Sequence, residues 1–158
     1  RMVRFNENEV RVMGRTASGV KGIDMENSVV IGAEIVHPEQ YVLIVTEKGY
    51  GKQTLVDEYR LTHRGSKGVK GLNMTDKNGS IISLKTIDNL NDNDLMIITN
   101  SGTIIRMPLN QISILKRATQ GVRLINLRDD QTVATIALVT KDDSEDNKLE
   151  EVEKEITE

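Results

Sequence analysis

The chain has no cysteine, no tryptophan, one phenylalanine and two prolines. Without cysteine it can form neither disulfides nor thiolate-ligated metal sites, and it lacks the staples of small domains in oxidising compartments. A cytoplasmic setting follows as the expectation. No apolar run approaches the roughly 20 residues of a membrane helix. The N-terminus shows no charged-then-apolar signal segment, so a soluble chain with no membrane partner is predicted. What is present is 158 residues with 37% hydrophobic content, enough for one respectable core in one or two domains.

Charge is segregated along the chain. Residues 1–140 carry 18 Lys and Arg against 15 Asp and Glu, a net of +3, whereas "KDDSEDNKLEEVEKEITE" from Lys141 carries 3 against 9, a net of −6. A basic body with an acidic tail suits a polyanion-binding body whose tail competes with the ligand, and equally a body with a solubilising terminus. Leu149, Val152 and Ile156 fall at helical spacing among the acids, but so short and acidic a segment is expected to be disordered alone.

One phrase occurs three times, as "GRTASGVKGIDM" from Gly14, "HRGSKGVKGLNM" from His63 and "KRATQGVRLINL" from Lys116. With Gly19, Gly68 and Gly121 as anchors, the spacings are 49 and 53 residues. Arg15, Arg64 and Arg117 lie four residues before the anchors, Val10, Tyr59 and Ile112 nine before, and Arg4, Gln53 and Arg106 fifteen before. Further back, "TEKG" at Thr46 matches "TNSG" at Thr99, and the corresponding part of the first repeat would precede Arg1. The register therefore predicts a chain that starts inside a repeat.

"YVLIV" and "LMIIT" are short apolar runs rich in β-branched residues. Each leads through a turn closed by Gly49 or Gly102 into "GKQTLV" or "TIIRM", which is the grammar of a hairpin with glycine at a left-handed position. After the anchors, "GVKGIDM", "GVKGLNM" and "GVRLINL", followed by "VVIGAEIV", "SIISLKTI" and "TVATIALV", supply two more strand candidates per repeat. Four short strands per unit of this length predict an all-β, propeller-like fold with four-stranded blades. Residues 1–40 read as an incomplete blade, 41–93 and 94–140 as blades, and 141–158 as the acidic tail. Closed propellers have about 4 to 8 blades, so a partial ring is expected.

Catalytic chemistry finds little support. "EKGYGKQT" resembles a nucleotide loop, but Thr46 and Gln53 stand where glycine and Ser or Thr are needed. Tyr59 is replaced by Val10 and Ile112 in the sister repeats, which argues for packing rather than a nucleophile. His37 and His63 stand apart without further metal-ligating neighbours, so no metal site and no catalytic residue are assigned.

The "RF…GRTASGVKG" run from Arg4 to Gly22, "GYGKQT" at Gly49–Thr54 and the spacing of "TNSGTIIR" resemble the C-terminal β-pinwheel domain of the bacterial DNA gyrase A protein. A related, more degenerate domain occurs in the corresponding protein of topoisomerase IV. The resemblance covers residues 1 to about 140 and implies the last three blades of a ring whose basic outer edge wraps duplex DNA. The family's "QRRGGKG" box is absent, its nearest echo being "THRGSKG" at Thr62–Gly68. The resemblance further implies a non-catalytic module supporting ATP-dependent negative supercoiling. Its partners would be the gyrase B protein and the rest of the gyrase A protein in a heterotetramer, its location the nucleoid, and ATP and Mg would belong to the holoenzyme alone. The alternatives are the topoisomerase IV domain and a propeller scaffold for protein partners.

A protein that bends DNA over a rim needs the same anion-binding loop presented repeatedly, with little sequence preference. The candidate phosphate contacts are Arg15, Arg64 and Arg117 before the anchors, Lys21, Lys70 and Arg123 two residues after them, and Lys67 and Lys116. The bland reading makes these arginines solvated or blade-bridging charges and the glycines strand entries between blades.

Overall fold

The computed structural model describes residues 1–128 and 130–141. The acidic tail beyond Lys141, with its expected disorder and competing role, lies outside these residues. "YVLIV" forms β1 (Tyr41–Thr46), which turns into β2 (Tyr50–Leu55). Glycine is needed at the turn, because Gly49 has φ +77° and a Cβ there would meet Ile125 Cγ2 at 2.6 Å. β3 (Ile81–Ile87) returns along the opposite edge of β1. The third repeat supplies β4 (Asn93–Thr99), β5 (Ile104–Pro108), the two-residue β6 (Val122–Arg123) and β7 (Val133–Thr140). Two sheets result, in the orders β3-β1-β2-β6 and β5-β4-β7, with every strand pair antiparallel.

The fourth strand of the first sheet is therefore borrowed. β6 belongs to the third repeat, yet it pairs with β2 of the second, Tyr50 opposite Arg123 and Gly51 opposite Val122. The same exchange occurs one repeat earlier, where Met2 and Val69 trade backbone hydrogen bonds of 2.9 and 2.8 Å. Four strands per repeat is the expectation from sequence; the structure distributes the fourth across the repeat boundary. "VVIGAEIV", expected as a strand, contains none. Its counterparts β3 and β7 each lean on the hairpin of their own repeat, and among the described residues no such hairpin stands beside it.

β1 is apolar from Tyr41 to Val45 because both its faces are covered. Leu43 and Val45 pack with Leu95, Ile97, Leu109 and Ile136 of the third repeat. Val42 and Ile44 turn the other way, towards Val56, Tyr59, Met2 and Val36. Each fully buried Leu or Ile contributes about 2 kcal/mol of transfer free energy, so both neighbours help hold this strand. Tyr59 is 4% exposed within that second cluster, as a packing residue should be, and burial pushes its phenol pKa up.

A second link between repeats uses the position fifteen residues before the anchor. Arg4 donates to Val56 O at 3.1 Å and Tyr59 O at 3.2 Å. Its counterpart, the fully buried Gln53, donates through Nε2 to Leu109 O at 2.8 Å. Val56 and Leu109 occupy equivalent places as the first residues of the 3-10 helices Val56–Glu58 and Leu109–Gln111. Repetition of a sequence position has become repetition of an inter-repeat bond.

Candidate nucleic-acid interface

The three anchor glycines have φ of +82°, +68° and +78°, a conformation open to glycine at little cost. Gly121 also lies against the neighbouring repeat, since a Cβ there would stand 2.8 Å from Gly51 O. The loops before Gly68 and Gly121 are thereby pressed onto the preceding repeat. Two further backbone bonds fix the arrangement, Asp24 N to Ser66 O and Asn73 N to Thr119 O, both at 2.9 Å and both at the same relative positions.

The arginines ahead of the anchors bridge repeats. Arg64 donates through Nη1 to Lys21 O at 3.2 Å and through Nε to Glu9 O at 3.0 Å. Arg117 donates through Nη1 to Lys70 O at 3.0 Å. Lys21 and Lys70 are themselves equivalent, so each bridging arginine meets the backbone of a candidate lysine one repeat earlier. Arg64 and Arg117 are half-buried, whereas Arg15 is exposed and makes no hydrogen bond or ion pair among the described residues.

The cations two residues after the anchors are exposed and share one habit, reaching the side chain three residues on. Lys21 meets Asp24 at 2.7 Å, Lys70 meets Asn73 at 3.4 Å, and Arg123 meets Asn126 at 3.1 Å. The first is an ion pair, and Lys21 holds the Asp24 carboxyl below its ordinary range, through its hydrogen bond first and its charge second. Lys67 is likewise paired, with Glu26 at 2.6 Å, which draws its own pKa up and that of Glu26 down. Lys116 is exposed.

The structure thus assembles two basic clusters of unequal strength. Between the first two repeats, Lys21, Arg64 and Lys67 stand among Glu9, Asp24 and Glu26. Between the second and third, Lys70, Lys116 and Arg117 gather with no ion-pair partner among the described residues. Exposed ion pairs contribute little stability, but they do cancel charge that a phosphate would otherwise meet. The second cluster keeps more of its positive charge uncancelled.

Sequence reading missed three participants. Tyr50 accepts hydrogen bonds from Arg123 Nη2 at 2.9 Å and Nε at 3.3 Å. Lys77 and Arg123 lie 5.9 and 5.5 Å from its ring centroid, and the bond from Arg123 draws the phenol pKa down. The third is Lys52, fully buried in β2. Its ammonium is pushed down to about 8 by burial first and Arg117 second, with Glu58 opposing. Position 50 is Arg in the first repeat and Thr in the third, and position 52 is Val and Ile there, so the repeat pattern gave no cue to either. Among the described residues no group of His, Asp and Glu is arranged to hold a metal, and no helix is long and apolar enough to cross a membrane.

Comparison with known proteins gives a consistent result. The family model described as the DNA gyrase C-terminal domain, beta-propeller, matches residues 1–37, 40–88 and 93–140. The DNA gyrase A protein of Staphylococcus aureus strain MRSA252 is 47% identical over 153 residues, and that of strain NCTC 8325 is 48% identical over 153. These matches cover 95% of this chain but 17% of those proteins, so the chain spans about a sixth of their length. Among solved structures, a DNA gyrase A C-terminal domain matches with a TM-score of 0.69 at 22% identity, covering 85% of this chain and 45% of that one. The C-terminal domain of a DNA topoisomerase IV matches with a TM-score of 0.74 at 22% identity, covering 86% and 42%. The antiparallel all-β fold of these repeats is thus the β-pinwheel, and the chain belongs to the DNA gyrase C-terminal domain family.

Proposed function

We propose that this chain binds duplex DNA through its phosphates and bends it along the row of inter-repeat loops, as the wrapping module of a gyrase A protein. The observation that carries this reading is the recurrence, at each anchor, of an exposed cation in one local geometry, at Lys21, Lys70 and Arg123. Repetition suits a ligand whose charges are themselves regularly spaced. Family membership and relatives at 47–48% identity, all gyrase A proteins, favour gyrase over topoisomerase IV. In this reading the chain contributes no catalytic residue and no cofactor of its own. The rest of the gyrase A protein and the gyrase B protein supply cleavage and ATP hydrolysis, and the assembly works on the bacterial nucleoid.

A 40-base-pair duplex labelled at both ends tests this against the protein-scaffold alternative. Titration with the chain should raise energy transfer between the ends, with dissociation constants agreeing within about threefold on two unrelated sequences, since phosphate contacts carry no base readout. A strong preference for one sequence, or binding without a change in end-to-end distance, would refute wrapping.

The acidic tail enters the same proposal. Its net charge of −6, tethered beside basic loops, competes with DNA at high effective concentration. Ending the chain at Thr140 should tighten binding severalfold at low salt and less at moderate salt, where the attraction is screened. Equal affinities with and without the tail at both salts would leave it a solubilising terminus.

A further inference from the structure

Lys52 contradicts the ordinary habit of lysine, which is seldom fully buried unless paired. Its side chain has no exposure, and among the described residues no carboxylate forms an ion pair with it. Instead its Nζ donates to Lys116 O at 2.8 Å, to Arg117 O, and to Thr119 Oγ1 at 3.3 Å. An ammonium has three protons to donate, and here all three go to one loop, the loop that presents Lys116 and Arg117. Thr119 Oγ1 in turn donates to Lys116 O at 2.9 Å, which closes the loop around the ammonium.

The preceding loop is held by opposite chemistry. There the Arg64 N–H donates to Glu9 Oε2 at 3.1 Å, Arg64 Nε to Glu9 O, and His63 Nδ1 lies 3.3 Å from Glu9 Oε1. Val3 stands where the first repeat would carry its Lys52. A carboxylate clamp adds negative charge beside the loop it orders; an ammonium clamp orders the other loop while leaving its cations uncancelled.

We infer that Lys52 is the positioning residue of the second DNA-binding cluster: a buried ammonium that gathers the carbonyls of Lys116 and Arg117 inward and so holds the Lys116 side chain out towards phosphate and Arg117 on its bridge to Lys70 O. This rests on the DNA-binding reading above, and it adds a regulation. When the ammonium loses its proton, the amine keeps two donors for three acceptors and no longer draws the carbonyls by charge, so the loop loosens. The charged groups facing it are Arg117 of the loop, which disfavours the ammonium, and Glu58 of the turn after β2, which favours it. The β1 residue opposite is the apolar Ile44. Free lysines titrate only near 10.4, so with the α-amino group of Arg1 acetylated, a change between pH 7 and 9 that the Lys52→Met variant lacks belongs to Lys52 rather than to His63 on Glu9 or to Tyr50, whose phenol pKa Arg123 draws down.

The experiment compares the acetylated chain with its Lys52→Met variant by two readouts, amide hydrogen exchange and affinity for a 40-base-pair duplex, at pH 7 and 9. For the unsubstituted chain, exchange at Lys116–Gln120, corrected for the intrinsic effect of pH, should quicken at pH 9 while β1 and β4 keep their protection, and DNA affinity should fall about fivefold. The variant should show the fast loop at both pH values and an affinity about tenfold weaker and flat with pH. Slow exchange in the variant's loop, or a variant that binds as tightly as the unsubstituted chain, overturns the inference. Should Lys52→Met fail to fold, the pH profile of the unsubstituted chain decides, and loop exchange unchanged from pH 7 to 9 overturns it. If the unsubstituted chain binds no DNA at all, the proposed function fails, and loop exchange still tests the clamp.

Discussion

Replacing Gly121 by alanine is expected to cost about 3 kcal/mol. Two effects add. At φ +78° a residue with a Cβ is strained by about 1 kcal/mol or more. The new carbon would also stand 2.8 Å from Gly51 O and 3.1 Å from Gly51 C, and backbone cannot rotate aside as a side chain can. Relief requires β6 to move off β2, which breaks the pairing of Gly51 with Val122. For a domain of this size the melting temperature should fall by about 6–12 °C. Gly19 supplies the control, having φ +82° but no atom within 4 Å of a built Cβ. Gly19→Ala should cost only the conformational part, about 1 kcal/mol. Equal losses at the two positions would show that conformation alone matters and that the exchanged strand holds nothing.

Reversing Lys70 and Lys116 together is expected to weaken DNA binding by about 100-fold, roughly tenfold for each contact converted to a repulsion. Both side chains are exposed, and Lys70 makes only a long bond to Asn73, so the double variant should melt within a few degrees of the unsubstituted chain. Lys67→Ala should weaken binding less than threefold, because Glu26 already cancels that charge. Arg117→Glu belongs to a different class. It removes the donor to Lys70 O, so affinity and melting temperature should fall together. Circular dichroism melts beside titrations on the same samples separate the classes. A double lysine variant that lost stability but kept its affinity would return these lysines to the bland reading.

Much of this architecture was legible in the sequence because it is local. The hairpins around Gly49 and Gly102 are written in short apolar runs rich in β-branched residues and a single required glycine, and both glycines take the expected positive φ. The anchor register survives into three dimensions bond by bond, as the matching contacts of Arg4 with Gln53 and of Arg64 with Arg117 show. The exchanged strand was not legible. "GVRLINL" pairs over only Val122 and Arg123, and no local pattern says whether so short a strand serves its own repeat or the one before. Lys52 was hidden for a related reason. A lysine in "GYGKQT" reads as a solvent-facing strand residue, and its burial depends on a loop more than sixty positions away. The difference between the two basic clusters was largely invisible too, since Glu9 and Glu26 reach Arg64 and Lys67 from more than forty positions away, and only Asp24 is local to its partner Lys21.

The central claim is that exposed cations on repeated loops hold DNA by its phosphates. The salt dependence of affinity tests it most directly, measured for the chain on one duplex from 50 to 200 mM monovalent salt. With about three to four phosphates neutralised, the logarithm of the association constant should fall linearly with the logarithm of salt, at a slope near −3. Affinity should drop roughly 40- to 150-fold across the range. An affinity that held constant as salt rose would contradict the account, because binding without counterion release is not binding through phosphates.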